Sequence, residues 1–179
     1  MNLLGALLGS AQGGAIQQAA SQLGLGSTDA QALLKQLGPA LAGGLKRNST
    51  TESGLQSLTQ ALAGGNHQRY LDEPAALQSE ESISDGNAIL GHLFGSKDVS
   101  RQVANDASAK TGVDVGIIKK FLPLAAAAVM GAVSKQTGGG ARLAEAGASG
   151  GLDLLRGLLD SDGDGQVLDD LLSLGKKLL

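Results

Sequence analysis

Thirteen consecutive residues from Phe121 to Val133, FLPLAAAAVMGAV, carry no charge and no amide or hydroxyl side chain. A helix of that length reaches about 20 Å, short of the roughly 30 Å of a bilayer's hydrocarbon core. Pro123 interrupts the run as well. It therefore reads as protein interior, to be covered by the rest of the chain or by a second copy. Little bulk is on hand for the covering, because Phe94, Phe121 and Tyr70 are the only aromatics. The apolar content is mostly Leu and Ala, with almost no β-branched runs, which favours helices over strands. The 28 glycines are expected between helices rather than within them.

Three blocks recur in the same order. NLLGALLGS (Asn2 to Ser10) matches AILGHLFGS (Ala88 to Ser96), and LLKQLGP (Leu33 to Pro39) matches IIKKFLP (Ile117 to Pro123). LQSLTQALAGGNHQRYLDE (Leu55 to Glu73) matches LDLLRGLLDSDGDGQVLDD (Leu152 to Asp170). The offsets are 86, 84 and 97, and the jump falls in the Gly/Ala-rich stretch TGGGARLAEAGAS. Two units are too few for a solenoid. The expectation is an all-α, compact helical bundle of two duplicated, pseudo-symmetric halves. Ala30, Leu33, Leu34, Leu37, Leu41 and Leu45 share one helical face, as do Ile117, Ile118, Phe121, Ala125 and Val129. Pro39 and Pro123 fall inside these patterns, where each removes a donor and should kink or break its helix. Ser27 or Thr28 and Asp114 are candidate N-caps.

Other helices are expected over Asn2–Leu8, Ala15–Leu23, Ser53–Leu62, Asn87–Phe94, Val99–Lys110, Leu152–Leu159 and Val167–Leu178. The organisation that follows is a first half at 1–78, an acidic connector at 79–86 and a second half at 87–137. A linker at 138–151 and a C-terminal helix-loop-helix at 152–179 complete it.

The stretch SDGNAILGHLFGSKDVSRQVANDASAKTGVDVGIIKKFLPLAAAAVMGAV resembles the signature of the YidB-like bacterial proteins, a family of unknown function. The resemblance rests on GNAILGHLFG (Gly86 to Gly95), the helix Val99–Lys110, the turn Thr111-Gly112 and the pair Leu122-Pro123. It implies a small all-helical bacterial protein and supplies no catalytic residues.

Composition narrows the function classes. A formal charge of −3 leaves no basic stripe for nucleic acid. The absence of cysteine removes disulfides and thiol chemistry. No Lys or Arg precedes Lys35, so the apolar start MNLLGALLG lacks the basic region of a secretory signal. The default is a cytoplasmic protein without a transmembrane segment, with signal-less export as the alternative. Phosphate-loop and serine-nucleophile motifs are missing. His92 aligns with Ala6 in the first copy and reads as helix surface, and His67 has no second soft ligand at a useful spacing. Glu80 and Glu81 read as solvated.

The chemistry-bearing motif is DSDGDGQVLDD, Asp160 to Asp170. Asp160, Asp162 and Asp164 alternate like positions 1, 3 and 5 of a calcium loop, with Gly165 at the sharp turn and Gln166 offering a carbonyl. Leu171 stands where an EF-hand has its bidentate glutamate, so Asp169 or Asp170 would have to close the site. The internal counterpart has Ala63, Gly65 and His67 at the aspartate positions. Helix-turn-helix geometry thus does not require the aspartates, and clustered carboxylates repel unless a cation is present. The reading is a non-enzymatic, self-associating or partner-binding protein, a likely description for a homo-oligomer being replaced here by a firm test: sedimentation over a wide concentration range should show association, and a monomer throughout would refute it. The bound ion would be Ca2+. An enzyme whose site is invisible in sequence and a peripheral membrane protein are the alternatives.

Overall fold

A computed structural model of the chain describes residues 11–73 and 75–159. Among the described residues every regular element is helical. The order is α1 (Ala11–Gln22), α2 (Ser27–Ser49), α3 (Glu52–Gly64), the single turn α4 (Arg69–Asp72), a 3-10 turn (Ala76–Gln78), α5 (Glu80–Phe94), α6 (Lys97–Thr111), α7 (Val115–Thr137) and α8 (Ala141–Leu159).

The apolar run lies in α7, which forms the hub of the bundle, with α5 as its most extensive neighbour and α1, α2, α4, α6 and α8 around it. All residues from Phe121 to Val133 are buried. A helix that is apolar all round has this arrangement as its physical counterpart. The face expected to be left for self-association is therefore covered by the chain itself. At 23 residues, α7 is longer than the run and, among the described residues, is the one helix long and apolar enough to cross a membrane. Burial of 72% of its most apolar window within the bundle accounts for that composition.

Small side chains set the spacing. A Cβ on Gly86 of α5 would run into the carbonyl oxygen of Pro123 and stand 2.8 Å from its Cα. On Gly44 of α2 it would stand 3.0 Å from the Leu93 carbonyl oxygen. On Gly131 of α7 it would stand 2.7 Å from that of His67. At these crossings the backbones meet where a side chain would otherwise hold them apart. Glycines are thus found inside helices as well as between them, contrary to the composition-based expectation.

Neither proline breaks its helix, since α2 runs across Pro39 and α7 across Pro123. Their surroundings differ: Pro39 is exposed and Pro123 is buried under Gly86. The apolar face of α2 is buried from Ala30 to Leu45, as the periodicity predicts. Asp114 caps α7, accepting from the Gly116 and Ile117 amides at 2.8 and 3.2 Å. Ser27 and Thr28 do not cap α2; Gly26 holds that place without a side-chain bond.

Two stretches expected as connectors are structured. The acidic stretch 79–86 is the start of α5, capped by the Ser79 hydroxyl, which accepts from the Ser82 amide at 3.2 Å. Glu80 and Glu81 sit in the first turn, where the helix dipole favours negative charge. In the expected linker 138–151, only Gly138, Gly139 and Gly140 form a turn, all with positive φ, and α8 begins at Ala141. Gly147 interrupts α8 with φ 67° and ψ −173°, a conformation available to glycine alone. The expected helices Asn2–Leu8 and Val167–Leu178 lie outside the described residues.

The two glycines of GNAILG should respond oppositely to alanine. Gly91 is exposed and has nothing within 4 Å of an added Cβ, so Gly91→Ala should stabilise by up to about 1 kcal/mol through helix propensity. Gly86→Ala must push α5 off α7 and should cost about 2 kcal/mol. Urea unfolding of both variants checks this, and a neutral Gly86→Ala would refute the close crossing.

Candidate functional site

The densest polar arrangement in the described residues lies between α3 and α5, on α4 and the loop before it. Tyr70 of α4 has its ring fully buried. Its hydroxyl donates to the Asp85 carboxylate on α5 and accepts from Arg69 Nη2 at 3.0 Å. That guanidinium lies 4.9 Å from the Tyr70 ring centroid and pairs with Glu81 on α5 at 2.6 Å. Asp72 at the end of α4 takes Lys135 of α7 at 2.7 Å, and Gln68 donates to the Ser134 carbonyl at 3.4 Å. The short connection is thereby tied to two long helices.

The charges respond to this placement. Burial raises the Tyr70 phenol above its ordinary value; the bond to Asp85 adds to the rise and the Arg69 guanidinium opposes it. The hydrogen bond to Glu81, followed by that to Tyr70, raises Arg69. His67 is buried, and its Nε2 donates to the Ala61 carbonyl at 3.2 Å, which leaves Nδ1 buried without a partner. Its ring occupies the space a side chain on Gly65 would need.

A cleft of about 350 Å³ opens between Arg47 and Asn48 on α2, His92 to Gly95 at the end of α5, and Val99 on α6. Asn48 donates to the His92 carbonyl at 2.6 Å and to the Leu93 carbonyl at 3.4 Å. These are carbonyls of the last α5 turn, which lack intrahelical partners. The His92 side chain is exposed, as its alignment with Ala6 suggests.

The metal-ligand candidates Asp160, Asp162, Asp164, Gln166, Asp169 and Asp170 lie outside the described residues. Among the described residues, no three or more His, Asp or Glu side chains are grouped to hold a metal ion. Glu80 is exposed, but Glu81 is engaged by Arg69. The Arg69–Tyr70–Asp85 arrangement escaped the sequence reading because its members face one another across a supposed connector. The visible signal was the sole tyrosine of the chain, adjacent to an arginine.

A family model described as a bacterial protein of unknown function, DUF937, matches residues 5–136. The chain belongs to this family, which includes YidB. No curated protein and no solved structure matches it. The DUF937 match ends one residue short of the end of α7, so α8 and the aspartate-rich segment lie beyond it. Within the match, the motif residues do packing and capping. In GNAILGHLFG, Gly86 admits the Pro123 backbone, while Ile89, Leu90, Leu93 and Phe94 are buried. Gly95 and Gly112 end α5 and α6 in the left-handed conformation, with φ 73° and 75°.

Tyr70 can be followed alone, since the chain has one Tyr and no Trp. Its phenolate should form with a midpoint above the ordinary value of 10. The folded state holds the proton more tightly, so this contribution is intact below pH 10 and lost as pH rises through the folded value. Tyr70→Phe should cost about 1 kcal/mol by stranding Asp85 and Arg69. An unshifted phenol absorbance titration would refute the buried hydrogen bond.

Proposed function

We propose that this DUF937 protein is a non-enzymatic binding protein, self-associating or partner-binding, whose aspartate-rich segment takes calcium. The observation that carries this reading is the alternation of Asp160, Asp162 and Asp164 followed by Gly165. Calcium is a hard cation served by such oxygens, and Gln166, Asp169 and Asp170 offer more of them.

The described counterpart of that segment lends support. Asp162 and Asp164 correspond to Gly65 and His67 in the repeat alignment. A side chain on Gly65 would meet the His67 ring, and that ring points to the Ala61 carbonyl. Side chains at these alternate positions therefore converge on one point, together with a backbone oxygen. In the first copy a histidine proton closes the loop; carboxylates at the same places would converge on a cation.

This use of the counterpart rests on internal duplication, which three further observations favour. Both α2 and α7 are 23 residues long with one internal proline. Each follows a helix that ends near a left-handed glycine, Gly24 or Gly112. Moreover, α1 and α6 each pack on both long helices. The unlike surroundings of Pro39 and Pro123 show that any symmetry is approximate. Equivalent kinks at the two prolines belong to the same proposal. Self-association now rests on MNLLGALLG, because the run in α7 is internal.

Calorimetric titration of metal-stripped protein should reveal one calcium site, lost in the double variant Asp160→Ala plus Asp164→Ala. Absence of calcium heat at about millimolar ion, the weak end of calcium-module affinities, would overturn the proposal.

A further inference from the structure

The cleft beside α2 has an apolar floor and a basic rim. Leu93 and Phe94 form the floor, and Val99 on the wall is 37% exposed. Arg47 and Lys97 are exposed at the rim, with Lys46 half-buried beside them. None of these three cations pairs with a described carboxylate; Asp98, next to Lys97, is held by Arg101 at 3.0 Å.

The path of α8 brings a matching segment to this corner. Gly140 lies against Thr59 and Leu62 near the end of α3, and Gly151 lies against Leu55 near its start, so the two helices are antiparallel. From Gly151 the helix continues to Leu159, about 12 Å farther. Helix α3 itself begins at Glu52, only about 5 Å before Leu55. The end of α8 thus passes the start of α3 and reaches the corner where α2 finishes, which carries Arg47 and Asn48. The chain continues into Asp160 to Asp170, which contains five aspartates, Val167 and Leu168 but no basic residue. Fully extended, it spans up to about 35 Å, ample for the cleft.

We propose that the cleft is the docking site of the chain's own acidic segment, Asp160 to Asp170. Its aspartates meet Arg47, Lys46 and Lys97, and Val167 and Leu168 cover Leu93 and Phe94. The docking depends on the segment's charge and not on the calcium reading. Calcium would compete for the same carboxylates, so the test is run in chelator and stands or falls without the metal.

The probe is a carbodiimide, which joins a carboxylate to a neighbouring lysine amine as an amide without a spacer. An equal mixture of heavy-nitrogen-labelled and unlabelled full chain is coupled and digested. Lys135–Asp72, at 2.7 Å, is the internal positive control. The expected products join Lys46 or Lys97 to an aspartate of the segment within one chain. Their yield should fall about fivefold in about 1 M salt and likewise in Arg47→Glu, whose side chain is exposed and makes no described hydrogen bond. The proposal is overturned if these links are missing while Lys135–Asp72 forms. It is equally overturned if they join unlike-labelled chains, which would make a second copy the occupant, or if the segment couples as well to exposed Lys119 and Lys120.

Discussion

The rest of the bundle depends on the contact between Gly86 and the backbone of Pro123. Helix α5 makes its largest interface with α7, and that interface closes only because nothing projects from Gly86 toward the Pro123 carbonyl. The hub helix is lined with alanine from Ala125 to Ala128, and alanine offers little area unless its neighbours come very near. Gly44 against Leu93 and Gly131 against His67 repeat the same solution on α2 and on the loop before α4. In an aromatic-poor chain, close approach replaces bulk as the source of burial.

Close packing has a polar complement. The connection from α3 to α5 is too short to build a core of its own, and it is held by hydrogen bonds around one buried tyrosine. Arg69 and Asp85 satisfy the Tyr70 hydroxyl from opposite sides, and Glu81 holds the guanidinium. A buried hydroxyl without partners would cost far more than this network adds. Asn48 does comparable work for the open carbonyls at the end of α5. These side chains position helices; no observation gives them a substrate.

The family motif takes its meaning from this arrangement. GNAILGHLFG and Leu122-Pro123 are separated by a whole helix in sequence, yet they form the two sides of one crossing. What the DUF937 match encodes over residues 5–136 is accordingly the scaffold. The segment richest in potential ligand oxygens lies outside it. Binding chemistry appended to a packed helical scaffold is the division of labour that the proposed function assumes.

Much of the architecture was legible in the residues themselves. Helical period put Ala30 to Leu45 on one buried face, the Asp114 cap followed from residue type, and the Leu/Ala composition excluded strands from the expectation. Local rules succeed there because each depends on neighbours within a turn or two. They failed at 79–86 and 138–151, where acidic and glycine-rich character looked like connector but proved to be a helix start and a tight turn into α8. They also could not pair Tyr70 with Asp85 or tell buried Pro123 from exposed Pro39. Sequence by itself determined that this chain is helical and where its apolar surface lies. Only the tertiary structure decided which glycines admit a neighbouring backbone and which polar groups meet, because those outcomes depend on helices far apart in the chain arriving at the same place.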